Sequence, residues 1–189
     1  MQGKALRITT LAAASLVAFC MTFLTQYAVI FPALPFLFLD LKSVIIVICG
    51  YLFGPFSTLY MTVVVAFIEM FTISRDGLIG LLMNIISTGS FVFTATFFYS
   101  RKRTMRRAEI GLVLGVLLAT AFMLIWNYIM VPIYQGVPRH VIAAMLIPYF
   151  LPFNLIKFGT NAILALAFYK PIANALRKAK LLPAKNGTP

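Results

Sequence analysis

Residues 149–161, Tyr149-Phe-Leu-Pro-Phe-Asn-Leu-Ile-Lys-Phe-Gly-Thr-Asn161, open the last long apolar segment of a 189-residue chain and decide how the rest is read. The segment runs on to Tyr169 with the character of a membrane helix, yet it carries Pro152, Asn154, Lys157 and Asn161. A lysine at the centre of a membrane helix costs about 2.5 to 3.5 kcal/mol on insertion scales, so such residues face a protein interior or a cavity. Asn154, Lys157 and Asn161 stand at i, i+3 and i+7, which puts all three on one helical face. That face needs polar company from other helices.

Composition supplies the setting. With 62% hydrophobic and 11% charged residues, the chain is excluded from the ordinary soluble domains and reads as a polytopic membrane protein. The net charge of +12 does not point to nucleic acid, because the bases sit in short blocks between apolar runs. Cys20 and Cys49 both lie in apolar segments with no CxxC pair, which gives no support to a metal or redox site. Lys4 and Arg7 before an apolar run resemble a signal peptide, but the apolar character continues past Phe31 without a small-residue cleavage site, so a retained first helix is expected.

The predicted fold is an all-α integral membrane protein, six transmembrane helices in one bundle, over residues 8–31, 40–53, 56–73, 78–99, 110–131 and 148 or 152 to 169. Pro32 and Pro35 end the first helix, and residues 32–42 read as a loop at the outer face that could cover a site. The second helix is short for a span, so it is tilted, shielded by protein or extended into that loop. Gly54-Pro55 marks a tight turn, and Pro132 to His140 an irregular connection with a short surface helix from Val141. Residues 1–172 form the membrane domain and 173–189 a basic, partly disordered tail. Lys4, Arg7, the five bases of 101–107 and the five from Lys170 onward fall on one side, against Lys42, Arg75 and Arg139 on the other. That asymmetry makes the N- and C-termini cytoplasmic.

Counting from the outer helix ends gives each polar residue a depth. Lys157 lies about 7.5 Å beyond Pro152, with Asn154 shallower and Asn161 deeper. Asn127, Asn84, Glu69 and Asp40, each within about six residues of an outer end, reach the same level. Their convergence predicts a binding site open to the outside. Its chemistry is recognition: Asn amides donate and accept, Lys adds a charged donor, and Trp126, Tyr128, Tyr149, Phe150 and Phe153 offer flat walls for a planar ligand with a polar rim. The structural alternative pairs Lys157 with Glu69 or Asp40 and makes the Asn residues interhelical links. Ala14-x-x-x-Ala18 is a small-residue stripe for packing within the bundle or for docking another subunit. The 101–107 block is a topology determinant, or a site for anionic lipid or an acidic partner. No phosphate-binding loop, zinc motif or nucleophile elbow is present, so no catalytic or metal residue is assigned and an enzyme is not expected. No internal repeat supports a self-sufficient ion-coupled carrier, the reading from another class.

Several pieces in order carry a resemblance: Ala12 to Ala18, Leu39-Asp40 with Phe53-Gly-Pro55, Gly80 with Asn84, Asn127 with Pro132 and Tyr134, and above all Pro152-Phe-Asn-Leu-Ile-Lys157. Over residues 10–170 the chain resembles the S components, the substrate-capture subunits, of energy-coupling factor (ECF) vitamin transporters, most nearly the riboflavin-specific branch. The resemblance implies a six-helix fold in a prokaryotic cell membrane and a site near the outer face, capped by the first loop. It implies riboflavin, or another flat vitamin, as transported ligand rather than cofactor, held by Asn127, Asn154 and Lys157; Asn84 and Asp40 complete the expected ligand-binding set. It also implies that Ala14 and Ala18 face a coupling transmembrane (T) subunit driven by two cytoplasmic ATPase subunits.

Overall fold

A computed structural model describes residues 2–25, 39–74 and 77–179, and every regular element among them is helical. In order these are α1 (Gln2–Thr25), α2 (Lys42–Phe53), α3 (Pro55–Thr72), α4 (Gly77–Arg101), α5 (Met105–Gln135), α6 (Arg139–Met145), a π-helical turn (Leu146–Phe150) and α7 (Leu151–Lys178). The end of the first predicted helix, Pro32, Pro35, most of the covering loop, Arg75 and residues 180–189 lie outside the described residues.

Gly54 reverses the chain within one residue. Its φ of 99° and ψ of 166° lie where a Cβ is not tolerated, and Pro55 starts α3 at the position where its missing N–H is harmless. Antiparallel α2 and α3 follow, locked by Arg7 of α1, whose guanidinium donates to the Phe53 carbonyl at 2.6 Å and the Ser57 hydroxyl at 2.9 Å.

Five stretches are long and apolar enough to cross a membrane: Lys4–Thr25, Pro55–Thr72, Gly77–Arg101, Met105–Gln135 and Arg139–Lys178. With 12 residues, α2 spans only about 18 Å of a hydrocarbon core about 30 Å thick. It is the central helix, packed against α1, α3, α4 and α7, and nine of its residues, from Lys42 to Tyr51, are buried. Enclosed by four helices, α2 meets little lipid, and its shortness leaves no mismatch exposed to the membrane core. On the perimeter Phe56, Phe71, Leu78 and Ile163 are more than two-thirds exposed, as the side chains of a bundle dissolved in lipid should be.

Two helices run further than the sequence predicts. Pro132, expected to end the fifth helix, sits inside α5, which stops at Gly136 in the left-handed region at φ 67°. Pro171 lies within α7, so the helix runs past Tyr169 to Lys178 and the first residues of the expected tail are helical. The close α4–α5 packing rests on Gly111-Leu-Val-Leu-Gly115: a Cβ would lie 2.6 Å from the Ala95 carbonyl oxygen at Gly111 and 2.8 Å from that of Phe91 at Gly115. Gly115→Leu should therefore cost at least about 1–3 kcal/mol by overpacking. A thermal scan in detergent should show a clear drop in its midpoint, while Val113→Leu, at an exposed position of the same helix, leaves the midpoint unchanged.

A buried ladder of charge as the candidate functional site

Pro152 organises the end of α7. Having no N–H, it leaves the Pro148 carbonyl without its helical donor and crowds it, and the chain relaxes into the π-helical turn Leu146–Phe150 just before it. One turn later the Asn154 amide donates back to the Phe150 carbonyl at 2.7 Å. Its Oδ1 accepts no hydrogen bond among the described residues. Asn154, Lys157 and Asn161 do share a face, as their spacing predicts, and that face meets the start of α2.

There Asp40 is gripped twice by α7. The Lys157 ammonium lies 2.7 Å from Asp40 Oδ2, and the Asn161 amide donates to the Asp40 backbone carbonyl at 2.8 Å. Asp40 Oδ2 also faces the Lys42 ammonium at 3.8 Å, and Lys42 donates to both Glu69 oxygens, at 2.7 and 3.0 Å. Asn84 of α4 donates to Glu69 Oε2 and accepts from Thr88 at 3.3 Å. The result is a ladder of alternating sign, Lys157, Asp40, Lys42, Glu69, closed by Asn84, that ties α7, α2, α3 and α4 together at one level. Asp40, Lys42 and Glu69 are almost wholly buried, and Lys157 is the most accessible of the four.

Among the sequence expectations, Lys157 finds Asp40, one of the two partners foreseen, and Glu69 finds Lys42. Lys42, expected as an outer-loop base, is instead buried between two acids. The signal was present in the sequence, since Asp40 and Lys42 flank the start of α2 at the depth assigned to Glu69. Asn84 gives one of its two amide N–H groups to Glu69 and accepts from Thr88, which places it at the end of the ladder. Asn127 is buried on α5 and makes no side-chain hydrogen bond among the described residues. Phe150 and Phe153 pack with Val131 and Ile142 in a small core of their own beside the site. Trp126 lines an apolar groove of about 650 Å³ with Ile85, Phe93 and Phe122, and no residue of the ladder lines it. Ala18 is fully buried and Ala14 half-buried against the main core, so the stripe on α1 packs inward and Ala18 offers no surface to a partner; Ala12 and Ala13 are the exposed small residues there.

The ladder does not stabilise the fold cheaply. Ions taken out of water lose several kcal/mol each, and pairing in the interior roughly restores what is lost. Some acceptor capacity stays unused even so: Asp40 Oδ1 and Asn161 Oδ1 are buried without a partner among the described residues. Buried polar atoms of this kind call for an explanation, and binding is a common one. Fold and site together define a polytopic helical membrane protein that keeps a preorganised polar layer near one end of its bundle.

Comparison with known proteins narrows the class. Residues 6–169 match the family described as ECF transporter, substrate-specific component, and the chain belongs to that family, a transporter component and not an enzyme class. It is 25% identical over 178 residues to a riboflavin transporter RibU of Staphylococcus aureus (strain TCH60), covering 91% of this chain and 93% of that protein. It is 32% identical over 108 residues to a riboflavin transporter RibU of Streptococcus thermophilus, covering 53% and 51% respectively. A solved S component of a bacterial ECF transporter superposes with a TM-score of 0.77 at 26% identity, covering 94% of this chain and 99% of its own.

Coupling along the ladder has a measurable consequence. Glu69→Gln leaves the Lys42 ammonium buried with only the more distant Asp40, and should cost about 3–5 kcal/mol. Lys42→Met with Glu69→Met removes both charges and should recover most of that loss in thermal unfolding. A double variant no more stable than Glu69→Gln would show that the pair is not coupled.

Proposed function

We propose that this chain captures riboflavin at the outer face of a prokaryotic cell membrane and delivers it inward with a coupling T subunit and two ATPase subunits. The observation that carries the reading is the pair Asn154 and Lys157, one turn apart on α7, with Lys157 held by Asp40 and Asn154 Oδ1 unused. Similarity to a riboflavin transporter over nearly the whole of both chains supports the choice of ligand.

The chemistry is that of a flat ring with a polar edge. An ammonium has three donors, and Asp40 accepts one, so two remain for ring or ribityl oxygens. Asn154 Oδ1 and the Asn127 amide supply the complementary acceptor and donors. Asp40 and Asn84 act one step back: Asp40 fixes Lys157, and Asn84 with Glu69 and Lys42 keeps Asp40 in place.

Orientation follows from charge. Arg7, Arg103, Lys170 and Arg177 gather at the end of the bundle where α2 and α4 finish and α1, α3 and α5 begin, opposite the ladder. With that end cytoplasmic and α2 counted as a sixth, shielded crossing, both termini lie inside and the ladder faces outward. The T subunit would then meet α1 on its exposed face, with Ala12 and Ala13, rather than through Ala18.

Titration of riboflavin against the purified protein, followed by quenching of flavin fluorescence, tests the site. Asn154→Ala and Lys157→Ala should each weaken binding by at least about tenfold, the loss of one charged or buried hydrogen bond. Leu155→Ala, on the exposed side of the same turn, should bind as the native protein does. Unchanged affinity in both site variants rules the assignment out.

A further inference from the structure

The end of the bundle opposite the ladder holds a second cavity, of about 540 Å³, between the ends of α2 and α4, the start of α5 and the last turns of α7. Its lining includes Tyr51, Tyr99, Tyr169, Arg103, Lys170 and Arg177 and no carboxylate, so it carries three positive charges and no negative one. Tyr51 and Tyr99 are buried beneath it and Tyr169 is half-buried. Tyr51 lies against Tyr99 with centroids 4.4 Å apart and edge-on to Tyr169 at 5.4 Å, and the Tyr99 and Tyr169 hydroxyls share a hydrogen bond of 2.9 Å. Tyr51 is only 3% exposed, and its hydroxyl has no hydrogen-bond partner among the described residues. Arg103 and Arg177 both lie within electrostatic reach of the Tyr99 hydroxyl.

A basic block that only set topology would need neither a cavity nor a buried hydroxyl without a partner. We infer that this cavity is an anion site that takes a phosphate group at the level of the lipid headgroups. Two guanidiniums offer planar forks that match phosphate oxygens, Lys170 adds a point charge, and the Tyr51 hydroxyl supplies a fixed donor. The volume lies within the range of small-molecule sites and accommodates a phosphate with its glycerol. The shared chemistry admits two sources, an anionic phospholipid headgroup or free phosphate. Which leaflet would supply the lipid rests on the orientation proposed above; the site itself does not.

The test titrates dihexanoyl phosphatidylglycerol, and separately inorganic phosphate, into the protein in uncharged detergent and follows the thermal midpoint. The native protein should show a saturable rise. Arg103→Gln with Arg177→Gln should raise the half-saturating concentration at least about tenfold, and Tyr51→Phe should raise it by a smaller factor. Arg101→Gln with Lys102→Gln, which removes the same charge from positions outside the cavity, should leave it unchanged. A rise with the lipid alone assigns the site to a headgroup, and an equal rise with inorganic phosphate assigns it to the free anion. No saturable response to either, or equal loss in the two charge-matched double variants, overturns the inference. Riboflavin binding by the Arg103/Arg177 variant should be intact, which separates failure here from failure of the function proposed above.

Discussion

Asp40 is the residue on which the rest depends. It precedes α2, the helix enclosed by α1, α3, α4 and α7, and it stands between two ammonium groups in a place water hardly reaches. At about 4 Å and an effective dielectric near 20, each such pair is worth about 4 kcal/mol before desolvation is charged against it. The net gain is small, but the cost of losing one partner is not. The ladder therefore acts less as a source of stability than as a constraint: α7, α2, α3 and α4 must meet in one register, or a charge is left alone in the membrane.

This constraint explains the position of Lys157. An ammonium on a flexible four-carbon stem would ordinarily sample many rotamers, and a site that relied on it would lose affinity to ordering it. Held against Asp40, with Asn161 fixing the Asp40 backbone, it is already ordered, which is what the proposed site asks of it. The π-helical turn lies just before α7, the helix whose regular spacing brings Asn154 and Lys157 to one wall. Glycine packing at Gly111 and Gly115 presses α5 onto α4 from the other side of the bundle.

Much of this was legible in the sequence, and the reasons for the rest are specific. The shared face of Asn154, Lys157 and Asn161 follows from helical periodicity alone, and the common depth of Asp40, Glu69, Asn84 and Lys157 from counting residues. Which acid pairs with which lysine does not follow, because Asp40 and Glu69 stand at the same level and only the lateral arrangement of helices separates them. Lys42 was misread because charge counting assigns a base at a helix start to the loop. The inward turn of Ala18 needed the rotation of α1, which a small-residue stripe does not fix. Pro132 does not end α5, because a proline near a helix end removes one hydrogen bond without stopping the chain. Gly111-x-x-x-Gly115 was visible as a spacing and went unread.

The central claim is that the polar layer at the end opposite the basic cavity is a flavin site. The most direct measurement is the absorption spectrum of the full chain purified from cells supplied with riboflavin. The account predicts the bands of an oxidised flavin, co-eluting with the protein in equimolar amount. A colourless protein that stays colourless after incubation with riboflavin and removal of the excess would contradict it.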